Sequence, residues 1–153
     1  MKTILAPVDF SGASDAVVKE AATLARAIAG RVVLLTVIQP LIITNEYAPM
    51  IENLAEITAA GEKASAKRLA DIEDRLRAES IPAESIQVNG APVPHIVEHA
   101  TRLGVDYIVM GSHGHTAFYD LLVGSTTHGV LMRAKCPVVI VPPADAKPAE
   151  KRK

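Results

Sequence analysis

Five short runs of aliphatic, largely β-branched residues recur along the chain, each separated from the next by a stretch with helical periodicity. They are Thr3-Ile-Leu-Ala6, Arg31-Val-Val-Leu-Leu-Thr-Val37, Ser85 to Asn89, Asp106 to Met110, and Pro137-Val-Val-Ile-Val141. The strongest of them are continuous rather than alternating, the pattern of strands buried on both faces. Such strands need a helical layer on each side, and right-handed crossovers between parallel strands supply it. The expected fold is therefore α/β, a three-layer sandwich with a five-stranded parallel sheet, and the order taken for that sheet is 3-2-1-4-5.

Between the strands, Ala16, Val17, Ala21, Leu24, Ala25 and Ile28 fall at helical spacing over Ala13 to Ala29, with Ser11 or Ser14 as the cap and Gly30 as the stop. A long helix is expected over Asn53 to Glu79, buried along Leu69, Ile72 and Leu76 and wet along its charged residues. A third opens at Pro92 or Pro94 and runs to Leu103. The fourth covers Ser125 to Ala134. Gln39 to Met50, with two prolines and no clear period, reads as a loop with some helical turn.

At 153 residues the chain suits one domain, expected over 1–143, followed by a disordered basic tail at 144–153. Aromatic residues make up only 3% and tryptophan is absent, so the core must be aliphatic. A net charge of −1 provides no field for nucleic acid or an anionic membrane. The single cysteine, Cys136, forms no internal disulfide and suits a reducing compartment. No secretory pattern follows Met1, and no apolar run approaches the ~20 residues of a membrane span. A cytoplasmic protein without membrane insertion is the expectation.

One stretch carries the chemistry. Tyr107-Ile-Val-Met110 runs into Gly111, Gly114 and Gly124 and then into a helix start at Ser125. Glycines let bare N–H groups approach an oxyanion, and the first turn of a helix offers donors with partial positive charge. Ser125, Thr126 and Thr127 place three hydroxyls beside them. In an open parallel sheet, ligands bind beyond the carboxyl ends of the strands where the winding reverses. Asp9 and Gly111 both stand at such ends, on the two strands expected to flank the reversal.

The spacing of Gly111, Gly114, Gly124 and Ser125 combines with the opening Ile4-Leu-Ala-Pro-Val-Asp9 and the closing Cys136-Pro-Val-Val-Ile-Val-Pro142. Together they closely resemble the universal stress protein family on its ATP-binding branch, from the first strand through the last. The resemblance implies an adenine nucleotide alpha-hydrolase-like, Rossmann-like fold. It also implies a homodimer and a bound ATP, ADP or AMP, with Mg2+ or Mn2+ on the phosphates. By position it implies that Pro7, Val8 and Asp9 border the adenosine and that Val37 presents its backbone to the adenine edge. Met110 and Gly111 would line the ribose side, with His113, Gly114, Gly124, Ser125 and Thr126 around the phosphates. Family members often carry Arg or Lys where this chain has His113, and a neutral imidazole attracts phosphate less strongly.

Other signals are weaker. His95-Ile-Val-Glu-His99 places two histidines on one helix face, as in inverted zinc proteases, but no third ligand accompanies them, and a solvated helix face is expected. There is no P-loop and no nucleophile–base set, so no catalytic residue is assigned. Cys136 is expected to be buried rather than reactive. Three functional readings remain: a nucleotide-dependent regulatory protein without fast turnover, a slow ATPase or autophosphorylating protein, and a nucleotide-free interaction module. For the homodimer, the apolar residues Val138, Val139, Ile140 and Val141 would pair across an exposed sheet edge. The partner that reads the nucleotide state would be a second, unidentified protein.

Overall fold

A computed structural model describes residues 1–41, 53–112 and 123–143. Among these residues nine elements follow in strict alternation: β1 (Thr3–Pro7), α1 (Ser14–Ala27), β2 (Arg31–Ile38), α2 (Leu54–Ala78), β3 (Ala83–Asn89), α3 (Pro92–Arg102), β4 (Tyr107–Gly111), α4 (Ser125–Leu131) and β5 (Val138–Val141). The five strands form one sheet in the order β3-β2-β1-β4-β5, and every pairing is parallel.

Successive side chains of a strand point to opposite faces, and this divides the apolar runs between two cores. Ile4, Ala6, Val32, Leu34 and Val109 pack on one face with Val17, Val18, Ala21, Ala22 and Ala25 of α1 and with Leu69 and Leu76 of α2. Leu5, Val33, Leu35, Ile108 and Met110 pack on the other with Ile96 and Ala100 of α3 and Val130 of α4. Helices on both faces explain why the runs of β1, β2 and β4 contain no polar alternation. The small residues of α1 let it lie close to the sheet. Truncating one of the fully buried leucines, such as Leu5 or Leu34, would cost about 2–5 kcal/mol.

Several boundaries differ from the sequence expectation. β3 begins at Ala83, two residues earlier than its apolar signal, because Ala83 to Asn89 pairs with Val32 to Ile38 along its whole length. α4 ends at Leu131 rather than Ala134. α1 has Ala13 at its cap position and no side-chain capping bond, so neither Ser11 nor Ser14 caps it. Ser14 is instead the first helical residue, and its hydroxyl donates to Asp9 Oδ1 at 3.2 Å. Gln39 to Leu41 carries no regular structure; the remainder of that expected loop, and the basic tail, lie outside the described residues.

At the opposite end of the sheet, Asp106 ties the chain start to β4. Its carboxylate accepts from Lys2 Nζ at 2.7 Å and from the Thr3 N–H at 2.8 Å. Among the described residues no helix is long and apolar enough to cross a membrane.

Candidate functional site

The site begins with a missing donor. β1 and β4 pair at Ile4–Tyr107 and Leu5–Ile108 and no further. The next contribution from β1 on that side would come from Pro7, which has no N–H. Beyond this point the two strands bond outward. The Val8 N–H donates to Leu35 of β2 at 2.9 Å, and the Ser112 N–H donates to Val141 of β5 at 2.9 Å. α1 leaves β1 on one face of the sheet and α4 leaves β4 on the other. A gap between central strands whose crossovers go opposite ways is the switch point of a doubly wound sheet.

A cavity of about 290 Å3 occupies the gap. Pro7 of β1 borders it with Val8 and Asp9 just after that strand, Leu35 and Val37 border it from β2, and Met110 and Gly111 from β4. Gly124, Ser125, Thr126 and Thr127 close it at the start of α4. Nine of the sequence-derived candidates (Pro7, Val8, Asp9, Val37, Met110, Gly111, Gly124, Ser125 and Thr126) thus line a single cleft. The other two, His113 and Gly114, lie outside the described residues, as does His115.

Val37 reaches the cleft through its backbone. On β2 the odd-numbered residues bond towards β1, as Arg31 and Leu35 do, while Val32 and Ile38 bond towards β3. The next rung of a regular parallel ladder would join the Val37 N–H to the Val8 carbonyl. That carbonyl accepts instead from the buried Thr36 hydroxyl at 3.0 Å. The Val37 main chain consequently faces the cleft without a backbone partner among the described residues.

The two ends of the cleft differ in chemistry. At one end Asp9 Oδ1 accepts from the Ser11 N–H at 2.9 Å as well as from Ser14. At the other, the Gly124 N–H donates to the Ser112 carbonyl at 2.6 Å, and α4 starts with no side-chain capping bond. The N–H groups of Ser125 and Thr126, in the first turn, have no intrahelical acceptor. Gly124 sits at φ −66° and ψ 162°, open to any residue, so glycine contributes a missing side chain here rather than a special dihedral. Thr127 departs from expectation. Its hydroxyl turns inward to the Gly111 carbonyl at 2.7 Å and braces β4 against α4, leaving Ser125 and Thr126 as the available hydroxyls. Among the described lining residues Asp9 is the only ionisable side chain.

Sequence reasoning did not place Ser11, Ser14, Gln39, Pro92 or Ile96 in the cleft wall. The serines were legible only as helix-start residues. Pro92 and Ile96 arrive from a neighbouring crossover, and no local signal marks them. The histidine pair also differs from expectation: His99 is 5% exposed, and its Nδ1 lies 2.8 Å from the His95 carbonyl, so it is a core histidine rather than part of a solvated face. Among the described residues no group of three metal-ligating side chains occurs. Cys136 is half-buried, and burial followed by the Asp106 carboxylate pushes its thiol pKa up, away from a nucleophilic thiolate.

A parallel doubly wound sheet with a cleft at its switch point defines a Rossmann-like α/β protein. The model of the universal stress protein family matches residues 1–142, and the chain belongs to that family. A universal stress protein of Methanocaldococcus jannaschii is 30% identical over 154 residues, covering 92% of this chain and 94% of that one. A solved structure of that protein matches with a TM-score of 0.79 over 95% of this chain and 98% of its own. A Bacillus subtilis universal stress protein is 35% identical over 86 residues, a match that spans 56% of this chain and 58% of that relative. A universal stress protein solved in complex with cAMP is 26% identical, with a TM-score of 0.66 over 94% of this chain and 98% of that one.

Proposed function

We propose that the switch-point cleft binds an adenine nucleotide (ATP, with ADP or AMP as the alternatives) and that the chain is a cytoplasmic, nucleotide-dependent regulatory protein of the stress response without fast turnover. The observation that carries this is the convergence of β1, β2, β4 and α4 on one cleft whose walls are apolar and whose ends are an acceptor and a set of neutral donors. The relative solved with cAMP supports the choice of an adenine nucleotide.

The chemistry sets the orientation. Val8, Leu35, Ile96 and Met110 offer apolar walls for a purine. Asp9, an acceptor when ionised, suits the hydroxyls or amine of a nucleoside and repels phosphate. The phosphates therefore point to Gly124, Ser125 and Thr126, where bare N–H groups and two hydroxyls meet them. At about 290 Å3 the cavity lies at the lower limit of the roughly 300–1,000 Å3 typical of ligand sites. Further phosphates extend outward from Ser125 and Thr126. Mg2+ or Mn2+ would ride on those phosphates, since the described lining residues supply no ligand cluster.

Two chains are expected to pair through β5, the edge strand whose Val138, Val139, Ile140 and Val141 are all half-buried. A partner protein would read the occupied state. The deciding experiment is denaturation of freshly purified protein followed by mass identification of whatever it releases, with a thermal scan against added ATP, ADP and AMP. Released or stabilising adenine nucleotide supports the proposal. An empty cleft that ignores all three would leave the nucleotide-free interaction module as the better account.

A further inference from the structure

Phe10 is out of place by backbone rules. It sits between Asp9 and Ser11 at φ 59°, in the left-handed region that bulky residues rarely adopt. A glycine would hold that conformation without strain, and a strained aromatic persists only where its surroundings over-determine it. Two features hold it here. The ring packs against the core cluster beneath α1 and α2. Its face is covered by Arg68 of α2, with the guanidinium carbon 4.4 Å from the ring centroid.

The turn at Phe10 has a consequence for the cleft. The Ser11 N–H donates to Asp9 Oδ1 at 2.9 Å, closing a ring of three residues with Phe10 at its centre. Relaxing Phe10 to an ordinary helical or extended dihedral would swing that N–H away and remove one of the bonds that orient the carboxylate. The Ser14 hydroxyl, at 3.2 Å, is a second donor to the same oxygen. We propose that Arg68 and Phe10 are positioning residues: the cation–π clamp from α2 maintains the left-handed turn that fixes the Asp9 carboxylate at the nucleoside end of the cleft.

This rests on the nucleotide reading above and adds a residue that neither touches the cleft nor belongs to any strand. The clamp lies at the surface, where such a contact is weak, so its loss lowers affinity by roughly two- to five-fold rather than abolishing binding. Neutral, similarly shaped Arg68→Met is expected to show that loss for AMP or ATP in calorimetry, at unchanged thermal stability. Arg68→Lys, which keeps a cation over the ring, is expected to recover it. Phe10→Leu should cost about the same as Arg68→Met, and the double variant no more than either, because both remove one contact. Independently of any ligand, the Ser11 amide should exchange with solvent faster in Arg68→Met than in the parent protein. Wild-type affinity and unchanged Ser11 exchange in Arg68→Met would overturn the clamp, as would fully additive losses in the double variant. If the parent protein binds no nucleotide, the functional reading falls while the exchange measurement still decides whether Arg68 holds the turn.

Discussion

At Gly124 the backbone is extended, φ −66° and ψ 162°, so a larger residue imposes no strain on the main chain. What it would change is the space beside the first-turn N–H groups of α4. Gly124→Val is therefore expected to stay folded by circular dichroism while its affinity for adenine nucleotide falls about tenfold or more. Retained tight binding in a folded Gly124→Val protein would remove the phosphates from this end of the cleft. Gly90 is the opposite case. Its φ is +143°, and an added Cβ would come 2.5 Å from His95 Nε2. Gly90→Ala should cost about 1–3 kcal/mol in denaturant unfolding, with nucleotide affinity nearly unchanged, because strain and overpacking fall on the fold rather than on the cleft.

Between elements, the β1–β4 junction depends on Asp106. The hydrogen bond from Lys2, and then that from the Thr3 N–H, hold its carboxyl below the ordinary value of 3.8. A carboxyl whose folded pKa is depressed adds stability above its unfolded value and loses it as pH falls through the folded one. Asp106→Asn should thus be less stable than the parent near neutral pH. The gap between their melting temperatures should close as pH drops below 3.8; a gap that stays constant into acid would show that the ion pair contributes nothing. At the other edge, Val139 and Val141 pack on one core cluster and Val138 on the other, whereas Ile140 belongs to neither. Ile140→Glu is the substitution that tests pairing without emptying the core. Light scattering should give twice the chain mass for the parent protein and a single chain for Ile140→Glu. A parent protein that is already monomeric at micromolar concentration would end the dimer proposal.

For the whole molecule, a ligand that binds only the folded state stabilises it by mass action, about 2.7 kcal/mol at one hundred times Kd. For a domain of this length that corresponds to a rise in Tm of roughly 5–10 °C. At the same nucleotide concentration the rise should fall to about half or less in Gly124→Val but stay close to the parent value in Arg68→Met. What contiguous residues encode was legible beforehand: apolar period and β-branching mark the strands, proline at position 7 ends a ladder, and the glycine spacing marks a bare backbone. Those properties belong to the residues themselves, so the parallel sheet and the grouping of Asp9, Gly111, Gly124, Ser125 and Thr126 at one site followed from reading along the chain, whereas Pro7, Val8, Val37 and Met110 came by position from the family resemblance. Tertiary packing alone decided that Thr36 would take the Val8 carbonyl, that Thr127 would turn inward, that His99 would be core, and that Arg68 would cover Phe10. Each of those depends on register or on the rotation of a helix about its axis. Both are set by elements distant in sequence, and no local pattern records them.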